Sequence, residues 1–272
     1  MADSMTTRSL TTMRRAFAHG SVVSIASIAV LLLAWEAASA FGFLSPFYLP
    51  AFSTVLRRIW SDLLQDALHV DLISTLYRTI AGFSIACILG LMVGIAMVTM
   101  RPVRWFLDPL VSIAFPMPKI VFLPIFILWL GVYDTTKIFM IVFDSILPVV
   151  TATIVGINSV DKFLTWSARS IGTSRTRLLT DVYLPAATPS IVTGIQVALP
   201  IALIVNVVCE MLMGGTGIGA RMMNASRFAD ITGVCAGLIE IGLIGFVLIR
   251  GMAMLRQRLL RWHAESHAPS SF

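Results

Sequence analysis

Apolar residues run almost unbroken through six stretches of the chain, and the charged residues collect between them. The stretches cover residues 21–41, 76–100, 109–131, 136–157, 187–212 and 231–255. A helix needs about 20 mainly apolar residues to cross a bilayer, and each stretch meets that length. The pattern predicts an all-α integral membrane protein with about six transmembrane helices. Pro116, Pro118 and Pro124 interrupt the third stretch, Pro148 the fourth and Pro200 the fifth. Such prolines bend helices where a bundle can satisfy the freed backbone groups. Residues 54–64 place Val55, Leu56, Ile59, Leu63 and Leu64 at helical spacing, with Arg57, Arg58 and Asp62 elsewhere. An amphipathic helix covering the outer end of the bundle is expected there. Gly90/Gly94 and Gly233/Gly237 are small-residue pairs four apart, which permit close helix packing within the subunit.

Composition agrees with a membrane protein. Hydrophobic residues make up 57% and charged residues 12%, against about 25% charged in soluble domains. The net charge of +6 does not point to nucleic acid, because the basic residues border the apolar runs. Cys87, Cys209 and Cys235 lie inside apolar runs and read as small buried hydrophobes. His19, His69, His263 and His267 lie outside those runs, which argues against a histidine metal site in the membrane.

The basic residues also orient the chain. With the N-terminus inside, Arg8, Arg14, Arg15, Arg101, Arg104, Lys162, Arg169, Arg175, Arg177, Arg250, Arg256, Arg258 and Arg261 face the cytoplasm. Only Arg57, Arg58, Lys137, Arg221 and Arg227 face outward. Both termini are therefore expected in the cytoplasm, with tails at 1–20 and 258–272 around a membrane domain at 21–257. Arg14-Arg15, an apolar run and Ala38-Ser39-Ala40 also fit a cleaved secretory signal. The run is long enough to span, and Trp35-Glu36 interrupts the region, so an uncleaved first helix is expected.

The segment 158–185 is the longest polar, basic interruption among the later runs. Leu164, Ala168 and Ile171 share one face of a short helix, Gly172 allows a turn, and Thr173 or Ser174 can cap a second helix. Leu178, Leu179, Val182 and Tyr183 give that second helix an apolar face, and Pro185 is expected to reset the chain before the next span. The result is a helix–turn–helix with an apolar ridge and a basic rim. It fits either a docking surface or a hairpin lying on anionic lipid.

Inside the spans, Lys119, Asp144, Asn206, Glu210 and Glu240 are polar residues that cost several kcal/mol unless they face a cavity or a partner. Lys119, Asp144, Asn206 and Glu210 are the pathway candidates, and Glu240 is expected to pair within the bundle. An ion-coupled carrier using Asp144 and Glu210 is the alternative reading, but the internal repeat common in such carriers is absent. No nucleophile elbow, zinc motif or phosphate-binding Gly-x-x-x-x-Gly-Lys-Ser/Thr loop occurs. The run from Gly214 to Gly219 is expected to form a flexible loop dipping toward the pathway.

The residues Trp166-Ser167-Ala168, Gly172 and Val182-Tyr183-Leu184-Pro185 follow the spacing of a signature: Glu-Ala-Ala, three residues, Gly, nine residues, Ile-x-Leu-Pro. That loop resembles the cytoplasmic loop of binding-protein-dependent ABC importer permeases, with Trp166 and Ser167 replacing the usual Glu and first Ala. Phe115-Pro116-Met117-Pro118-Lys119, Leu123 to Gly131, Ser159-Val160-Asp161, Leu184 to Pro189 and Cys209-Glu210 are similar to the nitrate/sulfonate/taurine-type branch. The resemblance covers roughly residues 30–262. It implies a type I ABC importer permease fold in a bacterial inner membrane. It also implies a second permease copy, two cytoplasmic ABC ATPases that carry ATP and Mg, an extracytoplasmic binding protein, and no cofactor in this chain. Carried over to this sequence, the coupling residues are Ala168, Arg169, Gly172, Arg175, Arg177, Leu178, Leu184 and Pro185. The implied substrate is a small organic or anionic solute.

Overall fold

The structure, a computed structural model, describes residue 23 and residues 26–41, 45 and 47–261. The expected tail at 1–20, the start of the first span and most of the tail at 258–272 lie outside them. The described chain forms two units. One comprises the residues up to Leu64 together with Ala225–Ala236; the other comprises Gln65–Asn224 and the residues from Gly237 onward.

In the first unit, α1 covers Ala26–Ala40 and α2 covers Phe52–Leu63. The Glu36 carboxylate accepts from the Ser53 amide (3.0 Å) and hydroxyl (2.7 Å), satisfying a donor that the first turn of α2 leaves free. The Trp35 indole N–H donates to the Pro50 carbonyl (2.9 Å) while its ring packs on Phe52. The expected helix forms, but only part of its expected apolar face is buried. Val55 and Ile59 are buried together with Asp62, which is paired with Arg58, while Leu56, Leu63 and Leu64 are exposed. Arg58 bridges Asp62 and Asp230.

The second unit is a helical bundle. Its helices are α3 (Asp66–Thr99), α4 (Arg101–Ala114), α5 (Leu123–Leu130), α6 (Asp134–Asn158), α7 (Lys162–Ser170), α8 (Arg175–Leu178) and α9 (Leu184–Met213). Two further helices, α10 (Ile218–Arg227) and α11 (Ile231–Leu259), have residues in both units. Helix α6 packs against both α3 and α9. A row of small residues on α3 allows the first contact: a Cβ on Gly90 would meet Val149 at 2.8 Å, and one on Gly94 would meet Thr153 at 2.6 Å. Leu123, Phe126, Met140, Ile141, Ala202, Val205 and Cys209 join α5, α6 and α9 in one core cluster.

Among the described residues, four single helices are long and apolar enough to span. They are Asp66–Thr99, Asp134–Asn158, Ile231–Leu259 and the joined run Arg175–Met213. The stretch at 109–131 is not one straight span. Arg101–Ala114 and Lys119–Leu130 meet at a 100° bend. Pro116 and Pro118 withhold two backbone donors, and Pro118 itself is extended (φ −72°, ψ 94°) at the bend. The described part of α1, Ala26–Ala40, is shorter than a span, and the start of the expected first span lies outside the described residues. The second span begins at Asp66, ten residues before its apolar run, because the polar first turns continue the same helix.

Replacing Gly94 with Leu inserts a side chain where Thr153 already packs, whereas Gly242→Leu enters open space. Overpacking of this kind costs about 1–3 kcal/mol. Thermal unfolding in detergent is expected to show a lower midpoint for Gly94→Leu than for Gly242→Leu; equal midpoints would refute the close α3–α6 contact.

Candidate functional site

Three features of the second unit could serve transport. The first is the segment 158–185. Asp161 caps α7 by accepting from the Phe163 amide (2.8 Å), and Ser174 caps α8 by accepting from the Arg177 amide (3.4 Å). Between them Gly172 takes φ +82°, a left-handed conformation that a side chain resists. Phe163, Leu164, Trp166 and Ile171 are all exposed, and the Phe163 and Trp166 rings meet edge to face. Arg169, Arg175 and Arg177 are exposed beside this apolar surface, Ala168 is half-buried and Leu178 is buried.

Pro185 does not interrupt the chain as its sequence position implied. Helix α8 passes through a π-helical turn, Leu179–Tyr183, directly into α9, and Leu184 and Pro185 form the first turn of α9. The wider turn accommodates a residue that has no N–H to donate. Arg175–Met213 is thus one continuous 39-residue helix.

The second feature is a cavity of about 410 Å³ between α6, α9 and the bend after α4. Lys119 and Asp144 meet in its wall at 2.7 Å. Thr151, Ser190 and Thr193 add hydroxyl groups to a lining that is otherwise largely apolar, including Pro148 and Val197. A mostly apolar site with a few convergent polar groups suits a small amphiphilic or charged solute.

Asn206 and Glu210 sit elsewhere, in the third feature, a buried polar cluster. Both are fully buried. Glu210 accepts from Arg78 (2.9 Å), from the Thr75 hydroxyl and from the Gly219 amide (3.1 Å). Asn206 donates to the Thr75 carbonyl and the Thr79 hydroxyl, both at 3.0 Å. Arg78 also reaches Asp134 and the Thr216 carbonyl. Lys137 donates to the Gly214 carbonyl, and Asp71 accepts from the Gly217 amide. The glycine-rich run is therefore not the flexible loop its composition implied, since its peptide groups are held from several sides. Gly217, at φ +125°, leaves no room for a Cβ beside the Glu210 carboxylate.

The sequence singled out Lys119, Asp144, Asn206 and Glu210 together; the structure brings the first two into one cavity and the last two into another cluster. It missed Thr75, Thr79 and Arg78 as their partners, although their spacing of three and four places them on one face of a helix. Glu240 pairs with Arg221 at 2.7 Å, as expected of a residue matched within the bundle.

Residues 86–261 match the family of binding-protein-dependent transport system inner membrane components. The chain belongs to this family. The permease is 32% identical to the taurine transport system permease protein TauC of Escherichia coli (strain K12), over 89% of this chain and 90% of that protein. It is 31% identical to the putative aliphatic sulfonates transport permease protein SsuC of Bacillus subtilis (strain 168), over 86% and 85%. The nitrate import permease protein NrtB of Synechocystis is 29% identical over 70% of each. Solved structures share the fold: an inward-facing MetNI methionine ABC transporter gives a TM-score of 0.62 at 16% identity, over 70% of this chain and 94% of that one. An amino acid ABC transporter gives 0.56 at 20% identity, over 70% and 90%. The family places the chain among ABC importer permeases and sets aside the ion-coupled carrier.

Removing the Glu210 carboxylate leaves Arg78 buried with too few acceptors, which typically costs about 3–5 kcal/mol. Glu210→Ala is expected to unfold at a clearly lower temperature in detergent, and Arg78→Met combined with Glu210→Met to recover much of that loss. Wild-type stability in the single variant would contradict the cluster's structural role.

Proposed function

We propose that this permease pairs with a second copy of itself and carries a small organic anion, such as a sulfonate, delivered by an extracytoplasmic binding protein. Two cytoplasmic ABC ATPases, which hold the ATP and Mg, drive it through the segment 158–185. Both termini and that segment face the cytoplasm of a bacterial inner membrane, in keeping with the excess of Lys and Arg on that side. The tails at 1–20 and 258–272 flank a single membrane domain.

The observation that carries this reading is the joining of the segment to the cavity by one unbroken helix. Docking rests on the apolar surface of Phe163, Leu164, Trp166 and Ile171 and on the cations Arg169, Arg175 and Arg177 around it. Ala168 and Gly172 shape the turn; Leu178, Leu184 and Pro185 carry the chain into α9. Trp166 stands where the family's Glu would be, so the contact here is apolar rather than acidic. In the cavity, Lys119 and Asp144 are the groups that meet the solute: Lys119 is free to attract an anion once Asp144 is drawn aside. Asn206 and Glu210 support the pathway from behind by fixing the loop between α9 and α10.

The test is ATP-driven uptake by the assembled importer, with the copurifying ATPase quantified. Charge reversal of Arg175 and Arg177 places like charges across an interface, a cost of several kcal/mol, so uptake should fall by about tenfold or more. Gly172→Pro cannot adopt the left-handed turn and should do the same, with membrane insertion retained. Unchanged uptake in these variants would remove the docking role.

A further inference from the structure

A second cavity, of about 470 Å³, opens beneath the helix–turn–helix. Its walls come from the last turn of α3 (Val98, Thr99), the end of α6 (Ile157, Asn158), and α7 with the π-helical segment. Lys162, Arg169 and Arg175 line it, and no acidic side chain does. The two nearby carboxylates are engaged elsewhere: Asp161 caps α7, and Asp181 accepts from the Thr180 hydroxyl at 2.6 Å. Among the described residues none of the three cations makes an ion pair or side-chain hydrogen bond. Three like charges around one cavity repel each other unless an anion joins them.

The remaining wall explains what sort of anion. Trp166 and Tyr183 face the cavity beside Val98, Ile157, Leu178 and Leu179. Aromatic rings with one polar edge favour the membrane–water boundary, and the ends of two spans, α3 and α6, lie at that level. The cavity therefore offers both charge and apolar surface. Lysine and arginine donors around one cavity match the several oxygens of a phosphate better than a single carboxylate. Basic pockets between membrane helices bind phosphate headgroups for the same reason.

We propose that this cavity binds a phosphate group, carried by the headgroup of an anionic phospholipid or as free phosphate. The bound group neutralises Lys162, Arg169 and Arg175 and braces α7 against the ends of α3 and α6. It thereby sets the position of Phe163, Leu164 and Ile171, which are exposed outside the cavity. The site shares Trp166, Arg169 and Arg175 with the docking surface proposed above, but it is tested on this chain without any partner, so its failure and the failure of ATPase docking are read separately.

Native mass spectrometry of the purified full chain in detergent gives the first arm, with phosphatidylglycerol and phosphatidylcholine titrated separately. Phosphatidylglycerol should bind the more tightly, and Lys162→Gln and the pair Lys162→Gln/Arg169→Gln should each weaken it, by about fivefold per cation removed. Because both side chains are exposed, these changes leave the packing intact, and the charge-keeping pair Lys162→Arg/Arg169→Lys should bind nearly as wild type. The second arm measures thermal unfolding in inorganic phosphate against chloride at equal ionic strength. Protection by phosphate that is lost in the Gln pair, without any preference for phosphatidylglycerol, identifies free phosphate as the source. Equal binding of both lipids together with no protection by phosphate overturns the site. So does full binding by the Gln pair.

Discussion

The helix from Arg175 to Met213 is the part on which the rest depends. At about 1.5 Å per residue, its 39 residues reach about 58 Å. One end lies in the capped, basic segment at 158–185; the middle lines the cavity with Ser190, Thr193, Gly194 and Val197; the far end carries Asn206 and Glu210. On the proposed reading, a displacement at Arg175 reaches the cavity wall through this helix. The π-helical turn at Leu179–Tyr183 is its one irregular stretch. Such turns commonly mark the place where a helix adjusts.

The far end of that helix is anchored by charge rather than by apolar packing alone. Glu210, Arg78, Thr75 and Asn206 join α9 to α3, and Arg78, Lys137 and Asp71 seize the peptide groups of residues 214–217. Burying these groups is unfavourable unless each finds a partner. The cluster meets that condition through many bonds, at the cost of permitting only one arrangement of the loop. Helix α6 sits between the two helices so joined, close to α3 because Gly90 and Gly94 have no side chains to hold it off. The bundle thus has one end fixed at the Glu210 cluster and a cavity whose wall is continuous with the segment 158–185.

Much of this was readable in the sequence, and the reasons are local. Gly172 had to be a turn residue because only the left-handed region joins α7 and α8 so tightly, and Ser174 stood at capping distance from Arg177. The long apolar runs marked most spans by length alone. Other features depended on tertiary contacts. Nothing local told that Pro116 and Pro118 would turn the chain by 100° rather than kink a span. Pro185 looked like a stop and became a first-turn residue, because the π-helical turn before it changes the bonding pattern. Composition made residues 214–219 look loose, while three of the groups that hold them, Asp71, Thr75 and Arg78, lie more than a hundred residues earlier in the chain. The separation of Lys119 and Asp144 from Asn206 and Glu210 required knowing which faces of α6 and α9 meet.

The account rests on transmission through one unbroken helix, so the most direct measurement is ATP-driven uptake by an importer carrying two glycines inserted between Tyr183 and Leu184. Glycine weakens a helix by about 1 kcal/mol per residue and would break the rod between the segment 158–185 and the cavity. The account predicts that the variant inserts in the membrane, retains the ATPase and hydrolyses ATP, while uptake falls to background. Uptake at the wild-type rate would show that motion reaches the cavity by another route and would contradict the account.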